Sequence, residues 1–243
     1  MTWASRLRLL LGTLAVLTVA ALATYQLNET RGRATSDSAQ ILAETYAVGT
    51  PYAGLVADQL VDVGDDVVEG DALFVIDSAA LTYDRTHGLV SDPPEFTQID
   101  EQGRLVVLAS GDGRLTQVTG ERGTFVPSAS TLATVQRADT LYVQGEYTLT
   151  AKEYARLPDG ADVTITLPNE TALAGTVDRV DVTTVDGQAQ AVVRVTSDAL
   201  RDGSDNGLVS AGTPVVAQIS LTNEGVVTTV AGKVRTYVEE LLQ

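Results

Sequence analysis

The sequence predicts a mainly β protein behind a single N-terminal membrane-spanning helix. A charge-free apolar run occupies residues 9–27. Val and Thr recur through the middle of the chain in short runs broken by Gly, Asp and Pro, as strands and turns require. One short pattern also occurs twice, 59 residues apart. The first copy has Gly54, Leu55, Val56, Gly64, Val67, Leu73 and Ile76, and the second has Gly113, Arg114, Leu115, Gly123, Val126, Leu132 and Val135. Such self-similarity marks one structural unit used twice.

The first element is the apolar run. It follows Arg6 and Arg8, and Trp3 and Tyr25 flank it where interfacial aromatics belong. Its length suits a bilayer crossing and exceeds a usual signal-peptide core. A cleaved signal remains the competing reading, with Ala21-Leu22-Ala23 as the small-residue site. Either way the chain beyond about residue 30 lies outside the cytoplasm.

Residues 28–40 are small and polar and read as a linker. From Ile41 the strand signals begin. In each copy the glycines fall where turns need positive φ, and Val-rich pairs lie between them. One copy presents a few short strands with one apolar face, which it cannot bury alone. Two copies can pack face to face as a flattened sandwich, predicted over residues 41–138. Between the copies, 77–104 is an insertion. Ser78 to Thr86 suits a short helix, and Pro93-Pro94 stop any longer one. After the second copy, Leu141 to Leu149, Val163 to Leu167, Gly175 to Val180, Ala191 to Val195 and Val215 to Leu221 read as strands. Ala151 to Leu157 reads as a helical turn. Residues 225–243 are amphipathic, helical from about Lys233, with a stripe suited to a membrane, a partner or the end of the preceding domain.

Composition narrows the chemistry. The formal net charge is −16, which repels phosphate backbones and argues against nucleic acid. There is no Cys and a single His, His87, so disulfides, thiolate–zinc sites and His-pair metal sites are excluded. No nucleophile elbow, phosphate loop or dinucleotide fingerprint occurs. Asp62, Asp65, Asp66, Glu69 and Asp71 flank turns, and Asp202 to Gly207 partly mimics a calcium loop but has Thr213 where Glu is needed. Both read as solvated turns. No residue is assigned a catalytic, cofactor or metal role.

The pattern Pro51-Tyr52-Ala53-Gly54-x-Val56, then Val63-Gly64-Asp65-x-Val67-x-x-Gly70-x-x-Leu73-Phe74-x-Ile76-Asp77, resembles the first half-motif of the biotinyl/lipoyl-like fold. More closely, the chain resembles the HlyD-like membrane fusion proteins, adaptor subunits of export systems. In that family a second half-motif returns after an inserted helical hairpin, and a small β-barrel follows. Leu157-Pro158-Asp159-Gly160-Ala161-Asp162-Val163 and Leu173-Ala174-Gly175-Thr176-Val177 are similar to its barrel signature. The resemblance implies a barrel-sandwich hybrid over 41–138, a β-barrel over 139–224, and no cofactor. It implies ring oligomers, and a single-pass extracytoplasmic adaptor that scaffolds an inner-membrane transporter of the ATP-binding-cassette type. A wall- or surface-binding module on the same sandwich is the alternative. Two departures stand out. Residues 77–104 are too short for the family's reaching hairpin. The chain's lysines, Lys152 and Lys233, both lie outside the region between the copies, where carrier domains attach biotin or lipoate.

Overall fold

A computed structural model describes residues 32–89, 94–185 and 188–222, and positions 12, 16 and 19. Among the described residues it is mainly β, with few and short helices. Leu42–Leu141 form one compact unit, and the chain on either side of it forms a second. The first strands are β1 (Arg33–Thr35) and β2 (Ser38–Leu42). They lie where polarity predicts a linker. Each sits at a sheet edge and buries little, Ala34 in one and Ile41 in the other, so hydropathy gives almost no sign of them.

In the unit Leu42–Leu141, the first copy supplies β3 (Thr45–Gly49), β4 (Gly54–Gln59), β5 (Asp66–Val67) and β6 (Ala72–Asp77). Helix α1 (Ala79–Thr86) and β7 (Thr97–Ile99) follow. The second copy supplies β8 (Leu105–Leu108), β9 (Gly113–Val118), β10 (Phe125–Val126) and β11 (Thr131–Arg137). Adding 59 to the bounds of β4 and β5 gives those of β9 and β10.

The pairing is more informative than the bounds. One sheet runs β10-β4-β6-β8-β7 and the other β3-β11-β9-β5. Each sheet therefore takes its centre from one copy and its flanks from the other. Leu55 pairs with Phe125, and Arg114 pairs with Asp66 at the equivalent place. The bulges repeat too. Ala57 is the extra residue between Val56 and Asp58, and Thr116 is its counterpart. Leu73 is extra in β6 and Leu132 in β11, and both are fully buried. A bulge turns neighbouring residues to the same face, which lets Leu73, Phe74 and Ile76 all reach the core. Facing them are Leu115, Val126, Leu132, Ala133 and Val135. At Gly54 and Gly113 a side chain would run into the backbone oxygens of Asp77 and Gln136, so both positions require glycine.

The second unit continues with β12 (Tyr142–Leu149), α2 (Ala151–Tyr154), β13 (Asp162–Thr166), β14 (Ala172–Val185), β15 (Gln188–Thr196) and β16 (Val216–Ser220). Its sheet has seven strands in the order β1-β16-β13-β14-β15-β12-β2. Burial alternates along β13 and β16, so Val163, Ile165, Ala217 and Ile219 share an inner face. The edge strands β1 and β2 are consecutive in the chain. The Ser36 N–H donates to Ala217 O and the Asp37 N–H to Glu146 O, at 2.9 and 2.8 Å. Two residues thus bridge opposite edges, which the sheet allows only by curling into a half-barrel. Inside, the Tyr147 hydroxyl crosses from β12 to donate to Ala217 O at 3.1 Å. Burial raises the Tyr147 pKa far above its ordinary value and keeps that donor protonated.

β14 extends past the segment expected from Gly175 to Val180, carrying a bulge at Asp178. Among the described residues no helix is long and apolar enough to cross a membrane. The anchor expected over 9–27 lies outside them, apart from Gly12, Val16 and Val19, which are helical, with both valines exposed. The amphipathic segment 225–243 also lies outside them.

Candidate interaction surfaces

Several of the polar residues weighed from sequence have a structural task. Asp65 Oδ2 accepts the Asp62 N–H and Asp71 Oδ2 accepts the Val68 N–H, both at 2.8 Å, closing the turns around β5. Asp112 Oδ1 accepts the Glu69 N–H at 2.9 Å. Asp66 holds Arg114 by two hydrogen bonds, at 2.7 and 3.1 Å. The Arg114 guanidinium keeps its carboxyl below the usual range. In the loop from Asp202, Asp205 and Asn206 take left-handed φ values of 51° and 59°, and the Gly203 N–H donates to Val209 O. Among the described residues no group of three or more His, Asp and Glu side chains is placed to hold a metal. His87 closes α1, with Nδ1 2.8 Å from Tyr83 O and its ring 4.0 Å from the Tyr83 ring. Lys152 lies on α2, where Thr150 and Glu153 form a capping box.

The short insertion is tied to the sandwich. Ser78 Oγ accepts the Leu81 N–H at 3.3 Å, capping α1, and donates to Ala53 O at 2.7 Å. The Tyr52 hydroxyl donates to Asp84 at 3.3 Å. Arg104 joins Asp100 at 2.7 Å and Asp58 at 3.4 Å. Burial pushes the Asp100 carboxyl up, but the Arg104 backbone N–H and guanidinium and the Gln102 N–H outweigh it, and its pKa falls.

Two surface features escaped sequence reasoning. At the cross-strand position where β5 and β9 set the Asp66–Arg114 ion pair, β10 and β4 set Phe125 against Leu55, 68% and 46% exposed. Aligning the copies at 59 would have shown that exchange. The other is the outer edge of β3, which lies in the region of strand signals from Ile41 but carries no sign in sequence of which of its edges is paired.

Comparison with known proteins places this architecture. No family model matches the sequence, and no curated protein does. Solved structures do. ZneB from Cupriavidus metallidurans is similar at 17% identity and a TM-score of 0.57, over 78% of this chain and 99% of that one. MacA from Actinobacillus actinomycetemcomitans is similar at 16% identity and 0.57, over 79% of each chain. A MacA–MexA chimera containing the Pseudomonas aeruginosa MexA α-hairpin domain is similar at 16% and 0.56, over 79% of this chain and 83% of that one. At such identities the likeness is one of fold alone. The longest helix among the described residues here is the eight-residue α1.

Proposed function

We propose that this chain is a membrane-anchored extracytoplasmic adaptor of an efflux or secretion system. It scaffolds an inner-membrane transporter of the ATP-binding-cassette type and performs no bond chemistry. The observation that carries the reading is the architecture: a doubled sandwich with exchanged strands, in one chain with a curled sheet, as in the membrane fusion fold. We read the unit Leu42–Leu141 as a barrel-sandwich hybrid and the curled sheet as the adaptor's barrel. The exit of the chain supports a place near the membrane. Gly32 O accepts the Leu221 N–H at 2.8 Å, so the N-terminal flank leaves from the half-barrel's edge. From there to Leu27 is a reach of at most about 17 Å. With α1 as the reaching arm, scaffolding is local and no distant channel is engaged. Tagged full-length protein, gently solubilised and captured, should bring a membrane transporter with it. Recovery of wall polymer or surface proteins without a transporter would favour the binding-module reading instead. Removal of residues 1–27 should release the protein in soluble form, and persistent membrane association would count against the anchor.

A further inference from the structure

We infer that the outer edge of β3 is a docking site for an extended peptide segment of a partner, which adds to the sheet as an antiparallel strand. The inference rests on the fold alone and stands apart from the adaptor reading.

The doubled architecture shows what such an edge accepts. β3 and β8 occupy equivalent places in the two copies. β8 carries β7 on its outer side, whereas among the described residues β3 is terminal in its sheet. The Leu108 N–H donates to Phe96 O at 2.9 Å, the Asp100 N–H donates to Arg104 O at 3.0 Å, and Val106 pairs with Gln98. Subtracting 59 from Arg104, Val106 and Leu108 gives Thr45, Ala47 and Gly49. The Arg137 N–H donates to Glu44 O and the Thr50 N–H to Ser130 O. Bonded residues alternate in an antiparallel ladder, so Tyr46 and Val48 face β11 and those three turn their backbone groups outward. All three are exposed. The first copy therefore presents the same hydrogen-bonding row that its counterpart has filled.

A second observation concerns space. A groove of about 220 Å³ lies along this edge. Its walls include Val48 and Pro51 on one side and Phe96, Thr97 and Val107 on the other. A strand on β3 would set alternate side chains into it, as β-augmentation requires. In β7 the alternate residues are Thr97, buried, and Ile99, half-buried. The occupant is thus an extended segment with β-branched or apolar side chains at every second position. A second copy docking through its own β3 would offer five residues. Standard interfaces use roughly 20–30 residues a side, so that contact is too small to hold a dimer by itself.

The probe is a capped peptide of the sequence 95–100 of this chain, added to the full-length protein in mild detergent. In the register of β7 on β8, its Gln98 lies opposite Ala47. Binding should slow amide exchange at Thr45, Ala47 and Gly49 by at least about tenfold and leave Tyr46 and Val48 unchanged. Ala47→Pro removes one outward donor and should weaken binding at least about tenfold. Methylating the peptide's Gln98 nitrogen should do the same, and methylating its Thr97 nitrogen should not. That peptide pair decides the matter even if the proline variant misfolds. Three outcomes overturn the inference: no protection at millimolar peptide, altered exchange at Val106 and Leu108 from displacement of β7, or protection of the β3 amides that grows with protein concentration without peptide.

Discussion

The two copies of the sandwich repeat share a ladder but differ at their surfaces, and the difference separates what folding demands from what it tolerates. Shared are the paired bulges, the glycines at 54 and 113, the buried leucines at 73 and 132, and the backbone bonds around them. The Gly64 N–H donates to Leu115 O, and the Gly123 N–H to Val56 O, both at 2.8 Å. Inside, Phe74 answers to Ala133, a large change in core volume, and the other differences lie outward. Asp66 and Arg114 become Phe125 and Leu55. Val68, whose N–H caps on Asp71, becomes Pro127, which has no N–H, and there Ser130 Oγ donates to Pro127 O instead. Gly70, at a φ of 90°, becomes Ala129, at 60°. One backbone plan thus accepts several surface chemistries, and at Phe74 and Ala133 a change of core size, provided the inward positions stay apolar.

The comparison is broken most directly at the bulged leucines. Leu73→Ala and Leu132→Ala should each cost about 3–5 kcal/mol, and by nearly equal amounts, as read by denaturant unfolding of the unit they share. A large inequality would show that the halves are not energetically equivalent. Next in size are the turn exchanges. Gly70→Ala should destabilise by about 1 kcal/mol, and Ala129→Gly should be neutral or stabilising by up to about 1 kcal/mol, because left-handed φ penalises a Cβ. If both substitutions destabilise alike, the turns are not equivalent. The smallest effect belongs to the exposed ion pair. The pKa of Asp66 is depressed in the folded state, so its contribution is full above the unfolded-state value, near 3.9, and fades as pH falls through the folded one. Asp66→Asn should leave thermal stability near neutral pH almost unchanged and flatten the acid limb of a stability–pH curve. A large loss at neutral pH would mean that the pair matters more than its exposure allows.

Much of the doubled sandwich was legible because its landmarks are glycines and buried aliphatics, which backbone geometry fixes at set spacings. The helix over Ala79–Thr86 was legible from Ser78 and the prolines beyond it. β1 and β2 were not, because edge strands are held by backbone bonds and only Ala34 and Ile41 needed to be apolar. Nor was the exchange of strands between copies, since pairing across 48 residues, as of Asp66 with Arg114, leaves no local mark. The equivalence of β3 and β8 shares a single identical residue, Val48 and Val107, between Tyr46-Ala47-Val48-Gly49 and Leu105-Val106-Val107-Leu108. It emerges only from hydrogen bonding.

Strand exchange also has a consequence for biosynthesis. β4 waits for β10 and β5 waits for β9, so the first copy has no finished sheet to fold into when it emerges. Its apolar strands stay open until about residue 137 has been made, and the closing contacts are distant in sequence and correspondingly slow. Closure of the sandwich is thus a late event in synthesis, and the leading half remains unpaired until the trailing half arrives.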